Sequence, residues 1–268
     1  MADFKLPDIR VPPELEPAVM PDLLRYWYLG TRARRHMALR RFREVDVEMG
    51  VHPGARILDI GSAWGFNVMA LEILGYDPVG MDLIVEQFPV GQRIAQHNGV
   101  GFPVVAGDAA NIPFEKERFD CVTMVETIEH IYSSDRVRAL SECRRVLKQG
   151  GRIVLSTPNY YSVVERFKRF AVKKPWIRKR MPAMCYPAGD LPRAEYHPYR
   201  YHRPVPEREI RNLLEKTGFR VLKVKYFLFV LKNTSNALFP SLRTAERILE
   251  NLPGLNRLAA TVCFVAEK

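Results

Sequence analysis

Residues 56–83, RILDIGSAWGFNVMALEILGYDPVGMDL, decide how this chain is read. Arg56–Ile60 is a short apolar run and predicts a buried strand. Gly61 and Gly65 bracket a turn, the apolar run 66–74 predicts a helix, and 79–81 predicts a second strand ending on Asp82. Strand, glycine turn, helix, strand and acid, in that order, open an α/β sheet whose ligands lie at the carboxyl ends of the strands, where the strand order switches. Glycine in the turn lets backbone approach a ligand without a Cβ in the way. A carboxylate at the second strand tip can accept from both hydroxyls of a ribose.

Three details narrow the ligand. The turn is Gly-x-x-x-Gly and lacks the middle glycine of G-x-G-x-x-G, which makes room for a pyrophosphate. Asp59 sits just before the turn, where a carboxylate repels a pyrophosphate and favours an ammonium group. Asp108, in AGDAANIPF, follows the third strand and is placed to accept from an exocyclic adenine amine, with the Ala109 N–H near a ring nitrogen. These features describe a ligand with adenine, ribose and an amino-acid tail but no phosphates, and S-adenosylmethionine fits.

The same alternation continues outward. Further strands are predicted at 103–106, Phe119–Val125 and 152–156. Helices are predicted at 85–97, bent at Pro89, and at about 134–147, stopping before Gly150 and Gly151. Pro206 opens a helix that ends at Gly218. Two late apolar runs, 219–231 and 259–266, read as a final strand pair separated by a helix near 241–252. Pro7, Pro12, Pro13 and Pro17 discourage helix in residues 1–20, and 21–49 read as helical with an Arg-rich face, broken near Gly30. The organisation expected is an arm and helical cap over 1–50 and one α/β domain over 51–268, with an insertion at 159–205.

Composition bounds the class. A chain of 268 residues that is 47% hydrophobic can bury a substantial core. No window approaches the ~18 consecutive apolar residues of a membrane span, and the start is acidic and Pro-rich rather than basic-then-apolar, so the expectation is cytoplasmic. Cys121, Cys143, Cys185 and Cys263 lack metal-type spacing and read as reduced thiols. The net charge of +11 is uneven. Residues 51–130 hold four Lys/Arg against eleven Asp/Glu, while cations gather at 25–43 and 165–180. An acidic half suits a cationic cofactor. The basic segments suit either an acidic partner or surface, or ordinary solvated helix faces.

With ILDIGSAWG, VGMD, AGDAANIPFEKERFDCVTMVETIEHI, RRVLKQGGRIVLSTPN and PEREIRNLLEKTGF, the chain resembles the class I S-adenosylmethionine-dependent methyltransferases over roughly 51–219. The resemblance is to the broad small-molecule group that includes quinone-biosynthesis O-methyltransferases. It implies a Rossmann-like α/β fold, with a seven-stranded, mostly parallel sheet, helices on both faces, a reversed last strand and a helical lid insertion. It also implies cofactor contacts at Asp59, Gly61, Ala63, Gly65, Asp82, Leu83, Asp108, Ala109 and Glu126. The departure is GSAWG: Ala63 is small enough to keep the turn, and Trp64 is expected to cover the first helix rather than wall the methionine tail.

A sulfonium donor is already activated, so the protein must align a nucleophile and exclude water. A hydroxyl acceptor also needs a base, and histidine is the usual choice. His130, after the fourth strand, is one candidate. His197, in AEYHPYRYHRP, is another, because in look-alike enzymes this segment crosses the active site. Glu126, Glu129 and His130 match the E-x-x-E-H triplet associated with a divalent metal in quinone-pathway members. The reading preferred here has no bound metal, with Glu126 facing the cofactor and Glu129 capping or solvated.

In the insertion, Ser162 and Glu165 have capping-box spacing. Val163, Val164, Phe167, Phe170 and Ala171 form one apolar stripe with Lys and Arg opposite. Such a helix could dock on the domain, cover an apolar substrate, or lie on an anionic bilayer with Lys173, Lys174, Arg178, Lys179 and Arg180 towards the headgroups. The leading expectation is methyl transfer to a small, lipophilic or aromatic metabolite, O-directed. An RNA methyltransferase is disfavoured, because no RNA-binding module is recognisable and STPN differs from the signature of base-amine enzymes. A cofactor-binding regulator without catalysis is the third reading.

Overall fold

The computed structural model describes residues 7–15, 20, 24–25, 29–174, 176, 179, 192–198 and 201–268. Expectations for Pro17, Arg178, Arg180, Cys185 and Tyr199 lie outside them. The elements run α1 (Arg32–Met49), β1 (Arg56–Ile60), α2 (Phe66–Ile73), β2 (Asp77–Asp82), α3 (Phe88–Asn98), β3 (Val104–Ala106), β4 (Phe119–Val125), α4 (Arg136–Val146), β5 (Leu147–Pro158), α5 (Val163–Val172), α6 (Glu207–Lys216), β6 (Arg220–Phe227), α7 (Phe239–Asn251) and β7 (Thr261–Glu267).

The seven strands form one sheet in the order β3-β2-β1-β4-β5-β7-β6. β1 pairs in parallel with β2 and β4, and β5 in parallel with β4, while β7 is antiparallel to both β5 and β6. The expected reversed last strand is present. Strand order turns back between β1 and β4, which is where open α/β sheets place their ligands.

Alternation along the strands divides the apolar residues between two layers. Ile57, Cys121 and Val154 face one core, which also contains Met49 and Leu71. Leu58, Val122 and Ile153 face the other, packed by Leu140 of α4 and Leu214 of α6. Helices therefore cover both faces. Ile9, Leu15 and Leu24 are buried in the first core, so these described residues of the arm pack on the domain.

Two boundaries differ from the sequence reading. The glycines at 150 and 151 do not start a strand, because β5 already pairs at Leu147 with Phe119 before its register slips. Pro89 does not bend one long helix; a short 3-10 turn, Val85–Gln87, leads into α3 with the proline in its first turn, where a missing N–H costs nothing.

The ends of α1 and α7 are tied over the tail of β6. Glu246 accepts from the backbone N–H of Phe229 and Val230 at 2.7 and 2.9 Å, and Glu250 accepts from Leu228 N–H at 2.8 Å. Across from them, His36 pairs with Glu246 at 2.8 Å and Arg40 with Glu250 at 2.8 Å. Buried carboxylates held this way by N–H groups and cations are well satisfied.

Ser162 caps α5 as expected, accepting from Glu165 N–H at 3.2 Å. The apolar stripe, however, does not cover the domain. Ala171 is buried, whereas Val163, Phe167 and Phe170 are exposed.

Candidate active site

A cleft of about 1450 Å³ opens at the carboxyl ends of β1, β2, β4 and β5. Single-ligand pockets hold roughly 300–1,000 Å³, so this one has room for two molecules side by side.

One half is built from contiguous sequence. Gly61 turns at φ 79°, and a Cβ there would come within 2.2 Å of Thr127 Oγ1, so only glycine fits between the β1 and β4 tips. Ala63 holds the left-handed region at φ 50°. Its N–H donates to Asp82 Oδ2 at 2.8 Å, and Ile84 N–H donates to Oδ1 at 2.8 Å. Asp82 thus fixes the glycine turn to the end of β2, with further lone pairs left for ligand hydroxyls. Burial raises its pKa, opposed by those backbone hydrogen bonds. Asp108 accepts from Ala110 N–H at 2.9 Å and lines the cleft with Ala109, Leu83 and Gly61.

Asp59 and Gly65 stand behind this surface rather than on it. Asp59 is buried and accepts from Thr123 Oγ1 at 2.7 Å and from Asn67 Nδ2 at 3.4 Å. Its Oδ2 has no partner among the described residues, and burial pushes its pKa up to about 7. Gly65, at φ 82°, is the left-handed N-cap of α2. Trp64 is buried against Phe66 at the start of α2, with ring centroids 5.7 Å apart, as expected for a residue that covers this helix, and it also lines the cleft. This half fits S-adenosylmethionine: strand-tip carboxylates suit a cationic, phosphate-free adenosine compound, and the buried Ser62 Oγ beside the turn lacks a partner among the described residues.

The β4 tip shows what the sequence did not. Glu126 lines the cleft, but in a left-handed conformation, φ 51°. Its carboxylate accepts from Arg41 Nη2 at 2.8 Å and from Ser156 Oγ at 3.3 Å. Arg41 was visible only as one cation in an Arg-rich helix; nothing in the pattern marks which arginine turns inward. Glu129, expected at a cap or in solvent, is fully buried, and Thr157 Oγ1 donates to its Oε2 at 3.0 Å. Its Oε1 has no partner among the described residues, and burial pushes the pKa up to about 7.

His130 and His197 separate. His130 lines the cleft, and its Nδ1 lies 2.8 and 2.7 Å from the carbonyls of Pro198 and Tyr201. Carbonyls only accept, so Nδ1 carries the proton and Nε2 is the acceptor atom. That Nε2 lies 3.3 Å from Nδ1 of His202, which the sequence grouped with the loop aromatics but did not select. His197 is exposed and does not line the cleft; its carbonyl accepts from Tyr201 N–H at 2.8 Å. Tyr196 reaches in instead, donating to the His130 carbonyl at 2.8 Å. Burial lowers His130, and burial with His130, Lys168 and Arg41 near by pushes His202 down to about 2, so both rings are neutral.

Glu129, His130 and His202 offer ligand atoms within 4.8 Å of one another. One carboxylate and two imidazoles could bracket a divalent ion, with water or substrate completing the shell. This set differs from the E-x-x-E-H triplet, because Glu126 turns to Arg41.

The raised Glu129 pKa has a stability consequence. A carboxyl raised from 4.5 to about 7 on folding supports the fold below pH 4.5, and that support is lost as pH rises through 7. Glu129→Gln removes this cost. Its melting temperature is expected to gain on wild type by several degrees more at pH 8 than at pH 5, equivalent to about 2 kcal/mol. Parallel melting curves at both pH values would contradict it.

The other half of the cleft is apolar and assembled from distant segments: Met37 of α1, Val163 and Phe167 of α5, and Val230 and Leu231 after β6.

Residues 58–155 match a family described as Methyltransferase domain. The ubiquinone biosynthesis O-methyltransferase of Cereibacter sphaeroides is 33% identical over 129 residues, 48% of this chain and 51% of that one. The demethylmenaquinone methyltransferase of a Mycobacterium species is 31% identical over 134 residues, 49% and 55% of the two chains. The chain thus spans about half the length of these relatives. A SAM-dependent methyltransferase structure from Thermotoga maritima has a TM-score of 0.58 at 23% identity, covering 90% of this chain and 93% of that one, a likeness of fold.

Proposed function

We propose that this chain, which carries a class I S-adenosylmethionine-dependent methyltransferase domain, methylates a small, lipophilic or aromatic acceptor at an oxygen atom. The observation that carries the reading is the two-part cleft: a carboxylate-tipped half fit for the donor and, continuous with it, an apolar half beside a buried proton-accepting cluster. Relatives named for quinone-pathway methylations support an acceptor of this kind. The apolar wall favours a small molecule over an RNA strand, which binds in a cationic groove with stacking platforms.

When bound, the donor supplies an electrophilic methyl group. In this proposal Asp82 and Asp108 would hold the ribose and adenine, and the glycine turn after β1 would accommodate the amino-acid tail. Met37, Phe167 and Val230 exclude water and hold the acceptor ring. The acceptor hydroxyl loses its proton to the cluster around Glu129, whose proton affinity near pH 7 matches that task. His202 stands at the acceptor, and His130, locked by two backbone carbonyls, fixes its tautomer. The exposed His197 is left with no part in this proposal.

The test combines binding and turnover. S-adenosylmethionine at about 100 times its Kd is expected to raise the melting temperature by roughly 5–10 °C. Methyl-labelled donor incubated with fractionated cell extract is expected to label an organic-soluble fraction. No melting shift, or label appearing only in RNA, would end this reading.

A further inference from the structure

Helix α5 turns its apolar side the wrong way for a helix that covers a protein. Its inward face carries Ala171 and a Glu165–Lys168 ion pair at 2.5 Å. Outward lie Val163, Phe167 and Phe170, 63%, 47% and 54% exposed, and Trp176 beyond the helix is 65% exposed. The charges exposed around this stripe, Arg166, Lys173, Lys174 and Lys179, are all cations, because the segment's one acid, Glu165, is buried. Leu231, after β6, is exposed as well. Val163, Phe167 and Leu231 all line the cleft itself, so exposed apolar side chains from α5 and from the turn after β6 border it.

We infer that this rim docks on an anionic lipid bilayer. An outward stripe of bulky apolar side chains flanked by cations alone is the pattern of a helix lying in the headgroup region. Phe170 and Trp176 enter the boundary between headgroups and acyl chains, and Arg166, Lys173 and Lys174 meet lipid phosphates. The cleft mouth then faces the lipid. An apolar acceptor reaches the donor without crossing water, a consequence that rests on the methyl-transfer reading, whereas docking itself does not.

The experiment is co-sedimentation of the full chain with equimolar phosphatidylglycerol–phosphatidylcholine vesicles, and with phosphatidylcholine vesicles alone. Wild type is expected to bind the anionic vesicles, less so at high salt. Each cation near the surface contributes roughly fivefold, so Lys173→Glu with Lys174→Glu lowers partitioning about 30-fold or more. Phe170→Ser with Trp176→Ser lowers it at least about tenfold. Both pairs change exposed side chains, and unchanged melting temperatures verify that they fold. No binding by wild type, equal binding by the variants, or a solution dimer lost in Phe170→Ser without vesicle binding would overturn the inference. The donor melting shift, measured on the same samples, separates failure of docking from failure of the transfer reading.

Discussion

Asp82→Ala is expected to erase the melting shift that S-adenosylmethionine gives wild type. Asp82 is bound twice from the backbone, by Ala63 N–H and Ile84 N–H, each at 2.8 Å. Alanine removes the acceptor for ligand hydroxyls and leaves both N–H groups without that partner, at about 1–3 kcal/mol each. Donor affinity therefore falls by two routes, lost contacts and a loosened glycine turn, and a drop of at least 100-fold is expected. Asp82→Asn is the milder change: it keeps the shape and one acceptor oxygen, so one of the two backbone anchors survives while the charge and the other anchor are lost. Its loss is expected to be smaller, about tenfold. Isothermal titration of both variants reads this directly, and wild-type affinity in Asp82→Ala would contradict the placement of the donor.

His202→Ala and Glu129→Gln are expected to lower kcat by about 10² or more while leaving the donor shift intact, the range that a positioned proton acceptor contributes. The sign of the pH response follows from the raised Glu129 pKa. The acceptor must be unprotonated, so wild-type kcat/KM climbs from pH 6 to 8, and this limb flattens in Glu129→Gln. A purely structural role would leave the pH profile unchanged, whatever it did to the melting temperature or KM. His197→Ala is the control, expected to retain wild-type kcat.

The donor half was legible in the sequence because it is local. Gly61, Asp82 and Asp108 follow strand ends that periodicity locates; they line the cleft with Ala63, Leu83, Ala109 and Glu126, whereas Asp59 and Gly65 do not. The acceptor half was not, for physical reasons. Arg41 and Glu126 meet across 85 positions, and Glu129 and His202 across 73, so no local pattern relates them. Between His197 and His202, the ring facing inward depends on how the loop turns at Pro198. The stripe on α5 was visible, but amphipathicity alone does not say which side a helix buries.

The acids of α7 that hold the tail of β6 also grip α1, so one anchor positions Met37 and Val230 at the same time. In the proposed reading the walls around the acceptor hang on this clasp, while the residues assigned to the donor all lie before residue 131. On that reading acceptor preference can drift through α5, the turn after β6 and the part of α1 away from Arg41 without disturbing the chemistry. Swapping those three pieces between homologous chains is the natural way to exchange one acceptor for another.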